Sequence, residues 1–593
     1  MKNIFNQAKA YLCVCLLLLL IACGKKKEKY TTVSSIEGDI KELYSSYLTK
    51  TIQYLDSINA TNEVSKQKDY YIQARKNFKF SEPLLAYSDK SNYKSLNAPN
   101  ILIVKGEESL DTKVMKPIGF QVIEETLYED SLDTLALKNV VNVTKARLKL
   151  IQNNMVLQLK DYHIIWLLRD QIVRIATTGI TGFDSPVLNQ SLKESEYTYT
   201  TIATIVKTCQ SKFSSDGLLK NFIQLIEEAQ KALQTDFDIF DRYEFIKKHI
   251  HPQLAMLVDI QKDWKVTFPF EMALSNTMST LFSETALNQT FFSDLKSDTT
   301  YIEEKRAFGK ALFNDTSLSK KNNMACATCH VKDLGFADGK RVFDESQTRN
   351  TPTVAYAAYQ RGFFMDSRAG SLEGQVVGVV KNHNEFNMTM DSVVARVMKN
   401  QGYKNQLKKL YNNQRIDFNI RHAIATYIRT LNTFNSKFDK NIRGEEETLT
   451  ATEKHGFNLF MGKALCATCH FAPVFNGTVP PNYTDTELEF IGTPNLKQTA
   501  ISEDLGRYNL FKTEERKHFF KTPTVRNIAK TAPYMHNGVF TTLKEVIEFY
   551  NKGGGTGLGF DAPLQTLPFD ELKLTDQEIQ DLIAFMETLT DED

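Results

Sequence analysis

Apolar residues recur at steps of three and four positions through the first half of the chain, from about residue 36 to residue 292. This spacing places apolar side chains along one face of an α-helix. The repeat is clearest over residues 36–58, 135–159 and 218–233. Turn or cap signals separate the stretches, with Asp-Ser-Pro at Asp184 and Asp-Gly at Asp216. The pattern predicts a mainly α protein that begins with a helical bundle over residues 36–292.

The composition and the predicted secondary structure change after about residue 300. From there, loops rich in Asn, Thr, Gly and Pro surround short helices. Two identical pentapeptides, Cys-Ala-Thr-Cys-His, begin at Cys326 and Cys466, 140 residues apart, and each precedes its own series of loops and helices. Loop-rich domains are expected where a covalent haem supplies much of the core. We predict two cytochrome c-like domains that arose by duplication, residues 300–442 and 443–593, each with one haem.

The N-terminus has the organisation of an export signal. Lys2 and Lys9 precede an apolar run over residues 11–22, which is too short to span a membrane comfortably. The run ends in Leu-Ile-Ala-Cys, which resembles the lipobox of bacterial lipoproteins, so we predict a signal peptide over residues 1–22 and lipidation of Cys23. Residues 23–35 would then be a tether, and the protein would be exported, lipid-anchored in the cell envelope and periplasm-facing. The alternative, an uncleaved hydrophobic anchor, also places the rest of the chain outside the cytoplasm.

Composition narrows the possible partners. The chain has 593 residues, too many for one hydrophobic core, and is 42% hydrophobic and 24% charged. Its 72 Lys and Arg residues against 71 Asp and Glu give a net charge of +1, which provides no electrostatic reason to predict a nucleic-acid partner. Contact with the membrane is expected through the lipid anchor alone. Cys209, outside the pentapeptides, is expected to be a buried apolar thiol.

The pentapeptides are haem-attachment motifs. In Cys-x-x-Cys-His the two thiols bond to the haem vinyl groups and the adjacent imidazole reaches the iron. A zinc site also uses Cys-x-x-Cys, but the immediately following His and the exported chain favour haem. The sequence therefore predicts two covalently bound haem c groups with His330 and His470 as proximal iron ligands. The cysteines that attach them are Cys326 and Cys329 in the first motif and Cys466 and Cys469 in the second.

Further motifs occur in order around the pentapeptides. They are FGKALF at 308–313, RNTPT at 349–353, DSRA at 366–369, SLEGQ at 371–375, DLGRY at 504–508, KTPTVRN at 521–527 and APYMHNG at 532–538. Together they resemble the dihaem cytochrome c peroxidase and MauG family, from about residue 300 to the C-terminus. The resemblance implies an enzyme that reduces hydrogen peroxide with electrons from a small periplasmic donor protein such as a c-type cytochrome. It also implies a homodimer.

Peroxide chemistry needs an iron with an open position and a nearby acid-base group. No His follows His330 until His383, so the loop that carries a second His ligand in many family members lacks one, and the first haem is expected to be open. The family's acid-base glutamate matches Glu385, and the glutamine of the family pocket matches Gln375. We predict both as catalytic residues. His383 is a rival base or, in our preferred interpretation, a surface loop residue.

The resemblance places the far-side ligand of the second haem in the helix that contains Tyr550, where other members have Met or Tyr. Met535 is the rival ligand, and a packed aromatic is the alternative role of Tyr550. An anionic phenolate stabilises ferric iron and would make this haem MauG-like. Two further features follow from the family pattern. Met365 occupies the place of a bridging Trp, and a calcium ion would lie between the haems on the Asn350 side chain and the Lys521 and Pro523 carbonyls.

Two other functions stay open. A MauG-like oxidase would oxidise a protein or other large substrate, which Tyr550 favours. An electron-transfer or iron-uptake accessory protein is favoured by the N-terminal half, which faintly resembles imelysin-like helical domains. That family shows His-x-x-Glu where this chain has Gln121 and Glu124. Glu82, Glu124 and Glu125 are expected to be helix-surface or capping carboxylates, and metal binding is the alternative.

Overall fold

The structure, a computed structural model, describes residues 35–109, 111–293, 300–412 and 414–592. The predicted signal peptide and the lipidation site at Cys23 lie outside these residues. The fold is mainly α, as predicted. Within the described ranges, no helix is long and apolar enough to cross a bilayer. The strands form two small antiparallel sheets, Ile103–Lys105 with Lys113–Met115 and Leu488–Glu489 with Phe520–Lys521.

The N-terminal half is a bundle of helices, as the apolar spacing predicts. Its α-helices are Ile36–Ala60, Val64–Ser88, Lys90–Leu96, Phe120–Tyr128, Thr134–Asn153, Asp161–Arg174, Ser191–Thr208, Asp216–Ala232, Arg242–Phe245 and His251–Asp263. Single π-helical turns, Ile175–Gly179 and Ile246–Ile250, interrupt the bundle. The helix predicted to reach residue 159 ends at Asn153, because Asn154 leaves the helical conformation and its N–H closes the last turn on the Leu150 carbonyl.

The two haem domains follow one plan. The α-helices of the first are Ile302–Phe313, Cys326–Cys329, Leu372–Lys381, Met390–Lys399, Gln401–Leu410 and Ile416–Ile428. Those of the second are Ala451–Met461, Tyr508–Phe511, Leu543–Asn551, Gly554–Gly557 and Asp576–Glu587. The helix Lys437–Ile442, at the end of the first predicted range, packs with the second domain, where Phe438 contacts Phe457 and Phe585. Short 3₁₀ turns occur in all three parts of the chain. Those of the N-terminal half are Gln210–Lys212 and Gln289–Phe292, and those of the haem domains are Thr316–Leu318, Lys332–Leu334, Ala357–Tyr359, Cys466–Thr468, Glu514–Arg516 and Ile528–Lys530.

In both haem domains the helix before the Cys-x-x-Cys-His motif crosses the last helix of the domain at a glycine. A Cβ atom on Gly309 would lie 1.9 Å from the Ala423 carbonyl oxygen. A Cβ atom on Gly456 would lie 1.9 Å from the Asp581 carbonyl oxygen. Only glycine permits backbones to approach so closely. The shared crossing supports the prediction that the two domains arose by duplication.

The N-terminal half packs directly on the second haem domain. One continuous hydrophobic core contains residues of both and takes in most of residues 355–359 of the first haem domain, whose helices otherwise surround a separate core. Phe282 packs edge-on against Phe438 with ring centroids 5.3 Å apart. The buried Arg242 guanidinium lies where a Cβ on Gly462 would be, within 2.7 Å. The N-terminal half is therefore fixed against the domain that carries the second haem motif.

Two of the three carboxylates singled out in the N-terminal half are not on the helix surface. Glu82 and Glu124 are 2% and 1% exposed, which makes the expectation of helix-surface or capping carboxylates wrong for both. Glu82 pairs with the Lys79 ammonium at 2.5 Å, because the two residues lie three positions apart on one inward helix face. Glu124 accepts hydrogen bonds from the Tyr71 hydroxyl at 2.7 Å and the Ser185 hydroxyl at 3.0 Å.

The rest of this buried cluster is also paired. Lys79 contacts Asp184 at 2.6 Å, and Arg75 contacts Glu194 at 2.6 Å. Glu125 is half-buried and accepts from the Asn100 amide at 2.8 Å. In the described part of the chain, no group of three or more His, Cys, Asp or Glu side chains is arranged to hold a metal ion. Arg75 and Lys79 provide the positive charge that the buried carboxylates require.

Candidate active site

The first Cys-x-x-Cys-His motif opens onto a cavity of about 440 Å³. Cys326, Cys329 and His330 all line it. The motif is a single helical turn, Cys326–Cys329, whose start is held by a hydrogen bond of 2.9 Å from the Ala325 N–H to the Thr328 hydroxyl. None of the described cysteines forms a disulfide, so both thiols of the turn are available for thioether bonds.

The two predicted proximal histidines are oriented in the same way. The Nδ1 atom of His330 lies 3.0 Å from the Phe336 carbonyl oxygen, and Nδ1 of His470 lies 3.0 Å from the Pro523 carbonyl oxygen. A carbonyl oxygen can only accept, so Nδ1 carries the proton and Nε2 keeps its lone pair for a metal. Burial lowers the pKa of both imidazoles, which favours this neutral form. The cysteines, imidazoles and cavities fit covalently attached haem.

Glu385 and Gln375, the predicted catalytic pair, both line the first cavity. Gln375 belongs to the first turns of the helix Leu372–Lys381, which the Ser371 hydroxyl caps by accepting from the Gly374 N–H at 3.1 Å. Asn382 ends this helix and donates to the Glu385 carboxylate at 2.8 Å. Burial raises the pKa of Glu385, and the Asn382 hydrogen bond and the Arg368 charge oppose that rise. The Asn382 hydrogen bond therefore orients a carboxyl group that lines the cavity.

His383 lies on the surface and does not line the first cavity. This agrees with the interpretation of His383 as a loop residue rather than a base. Among the described residues that line the cavity, His330 is the only histidine. The described lining therefore contains no second histidine that could close the first haem, and its open position stays a prediction.

The second motif lines a cavity of about 270 Å³. Tyr550 and its rival Met535 both line this cavity, so both remain candidates for the far-side ligand. Tyr550 lies in the helix Leu543–Asn551, whose start is fixed by reciprocal hydrogen bonds between Thr542 and Glu545. Burial, with smaller effects of Cys469 and Cys466, raises the pKa of Tyr550 well above its ordinary value.

Glu489 is a residue of the second cavity that the sequence analysis missed. It lines the cavity beside Cys469 and Tyr550, and burial raises its pKa to about 7. No motif marks Glu489, because it belongs to the two-residue strand Leu488–Glu489, whose neighbours come from distant parts of the chain. A local pattern could not have identified it.

A set of residues lines both cavities and forms what we call the shared wall. Its members are Asn350, Thr351, Pro352, Thr353, Gln360, Met365 and Lys521. Met365, which the resemblance matches to a Trp of other family members, is 9% exposed in this wall. The predicted calcium residues gather here too, since Asn350 and Lys521 belong to the wall and Pro523 lines the second cavity. The calcium ion stays a prediction, and the Pro523 carbonyl already accepts from His470.

Comparison with known proteins identifies the family. A sequence profile described as di-haem cytochrome c peroxidase matches residues 303–447. The cytochrome-c peroxidase IdrP1 of Pseudomonas sp. (strain SCT) is 35% identical over 311 residues, covering 48% of this chain and 81% of that protein. The methylamine utilization protein MauG of Methylorubrum extorquens is 36% identical over 295 residues, covering 48% of this chain and 78% of that protein. This chain belongs to the di-haem cytochrome c peroxidase and MauG family.

Among solved structures, a MauG-like protein associated with microbial copper homeostasis is similar at a TM-score of 0.42 and 27% identity, covering 49% of this chain and 90% of that one. Membership of the di-haem cytochrome c peroxidase and MauG family confirms the resemblance drawn from the motifs. It implies two c-type haem groups and an oxidoreductase activity. The relatives named above include both a peroxidase and MauG.

Proposed function

We propose that this protein reduces hydrogen peroxide to water at the His330 haem, with electrons that a small periplasmic donor such as a c-type cytochrome delivers at the His470 haem. The observation that supports this most is the placement of Glu385 and Gln375 in the cavity of His330. We propose further that the protein is exported, held at the membrane by lipid on Cys23, and homodimeric. A calcium ion at Asn350, Lys521 and Pro523 completes the proposed cofactor set.

In this proposal the bound haem iron supplies the electrons and the coordination position at which the peroxide oxygen–oxygen bond breaks. Glu385 accepts the proton of the inner peroxide oxygen and returns it to the outer oxygen, which leaves as water. Asn382 holds the carboxylate for this task through its hydrogen bond of 2.8 Å. The Gln375 amide can donate to a peroxide oxygen and so orient it. One peroxide consumes two electrons and two protons in total and gives two waters.

Tyr550 favours a second candidate, a MauG-like oxidase that uses peroxide to oxidise a protein or other large substrate. Its phenol lines the second cavity, where a phenolate ligand would lower the reduction potential and make that haem a poor acceptor for donor electrons. Met365 in the shared wall argues against this candidate, because a thioether replaces the aromatic group that would carry a positive hole between the haems.

Steady-state peroxide consumption by the holoprotein, with and without reduced cytochrome c, separates these functions. The peroxidase proposal expects turnover that depends on the donor. Peroxide consumption coupled to oxidation of an added protein, with no dependence on donor, would favour the oxidase. Absence of both activities, together with a first haem that does not react with peroxide, would overturn both enzyme proposals and favour an electron-transfer or iron-uptake accessory protein.

A further inference from the structure

A lysine side chain is buried in the shared wall between the two cavities. Lys521 belongs to the strand Phe520–Lys521, and its residue is 8% exposed. Its backbone N–H donates to the Met365 carbonyl at 2.7 Å, which ties the second haem domain to the first. Its ammonium donates to the Gln360 side-chain oxygen at 2.5 Å, and Gln360 is 5% exposed. One contact therefore fixes the backbone of Lys521, and the other fixes its ammonium within the wall.

Two acidic side chains that line the first cavity together with Lys521 are already paired with arginines. Asp366 accepts from Arg349 at 2.6 Å and from Arg368 at 2.8 Å. Asp504 accepts from the same Arg349 at 2.5 Å. Two carboxylates thus neutralise two guanidinium groups. The Lys521 ammonium adds a positive charge that no carboxylate of this cluster balances by a direct contact.

A buried ammonium with one neutral partner is costly unless anionic groups lie nearby. An ammonium carries three N–H donors, and the Gln360 oxygen takes one of them. The cavities on the two sides of the wall are the places where the haem groups bind, and each haem brings carboxylate side chains. The charge of the wall and the charge of the cofactors are therefore complementary.

We propose that Lys521 is a positioning residue shared by both haem sites, where its ammonium supplies positive charge beside the two cavities and would raise the reduction potential of both haem irons. A fixed positive charge destabilises ferric iron more than ferrous iron, so it raises the potential. Because one side chain lies in the wall of both cavities, a single substitution is expected to shift both potentials together. The inference rests on the two haem groups of the proposed function but not on its peroxide chemistry.

Spectroelectrochemical titration of each haem in the holoprotein tests this inference. Lys521→Met removes the positive charge at similar volume, and we expect the potentials of both haems to fall. Gln360→Glu keeps the lysine and places a negative charge beside it, so it is expected to lower both potentials as well. Lys521→Arg keeps the charge and should restore them. Lys517→Met, four residues earlier at a surface pair with Glu514, is the matched control and should leave both unchanged.

Unchanged potentials in Lys521→Met and Gln360→Glu would overturn the inference, and so would a shift confined to one haem. If Lys521→Met fails to fold or loses haem, Gln360→Glu decides, because it keeps the lysine. The outcome is independent of turnover. A wild-type protein without peroxidase activity whose potentials shift as described would refute the proposed function and support the role of Lys521. Donor-dependent turnover in the wild type, together with unchanged haem potentials in the variants, would support the proposed function and refute the role of Lys521.

Discussion

Phe183 of the N-terminal half packs edge-on against Phe471 of the second haem domain, with ring centroids 6.2 Å apart. Phe471 directly follows His470, the proximal ligand expected for the second haem. The preceding Gly182 lies close to Leu465, the residue before the attachment motif, since a Cβ there would be 3.8 Å from the Leu465 side chain. The N-terminal half therefore contacts the segment that carries the expected proximal ligand of the second haem, although its own function is not defined by any motif.

We predict that Phe183→Ala destabilises the protein and perturbs the second haem. Phe183 is half-buried, so the loss should be about 2 kcal/mol, less than the range of about 3–5 kcal/mol for a fully buried Phe. Denaturant unfolding followed at the haem absorption band measures it. Phe569→Ala, at a side chain that is 67% exposed, is the control and should cost about 0.5 kcal/mol or less. Equal effects of the two substitutions would contradict a role for the contact.

The chemistry of the haem sites could be predicted from the sequence because it depends on residues close together in the chain. Cys326, Cys329 and His330 fall within one turn, and Glu385 follows Gln375 by one helix. Helices could also be predicted, because the apolar spacing that indicates them involves residues only three or four positions apart. Their ends were less certain, as the helix that stops at Asn153 shows.

Contacts between distant residues could not be predicted in this way. Arg75 and Glu194 are 119 positions apart, and Arg349 and Asp504 are 155 apart, yet each pair is bonded. Such pairs depend on how whole elements pack, which the local pattern does not encode. The surface assignment of Glu82 was wrong for this reason, because its partner Gln171 comes from another helix, 89 positions away.

Glu385→Gln is expected to slow the reaction of the first haem with peroxide by about 10²–10⁴-fold, because the amide cannot accept a proton. Stopped-flow absorbance after mixing with peroxide measures the rate. His383→Gln provides a matched control in the same loop, since His383 is exposed and outside the cavity. A large loss in His383→Gln with a normal rate in Glu385→Gln would assign the base to His383 instead.

The pH dependence of that rate should follow the ionisation of Glu385. The rate should fall as the pH is lowered, because Glu385 takes up a proton and can no longer act as a base. Burial raises the pKa of Glu385, so this fall should occur at a higher pH than for an ordinary glutamate. Asn382 lowers this pKa through its hydrogen bond, and Asn382→Leu should therefore move the fall to still higher pH. Rate profiles between about pH 4 and 8 test this, since unperturbed glutamates titrate near about 4.3. An unmoved profile in Asn382→Leu would show that another group controls the rate.

Glu373→Gln should destabilise the first haem domain strongly. Glu373 is 0% exposed and accepts two hydrogen bonds of 2.9 Å from Arg429, which is 6% exposed. Removing one partner of a buried ion pair leaves the other charge uncompensated, at a cost of about 3–5 kcal/mol. Glu303→Gln removes an exposed pair with Arg306 and should cost about 0.5 kcal/mol or less. Unfolding midpoints of the two variants provide the comparison, and similar midpoints would refute the structural role of the pair.

The assignment of Tyr550 as the far-side ligand of the second haem predicts opposite results for two substitutions in one cavity. Tyr550→Phe should change the ferric spectrum of that haem and raise its reduction potential, because a phenolate favours ferric iron. Met535→Leu should leave the ferric spectrum and the reduction potential of that haem unchanged. Electron paramagnetic resonance and near-infrared absorption of the ferric protein provide the readout. A methionine-to-iron charge-transfer band in the wild type that disappears in Met535→Leu would assign the ligand to Met535, and it would remove the main argument for MauG-like chemistry in this chain.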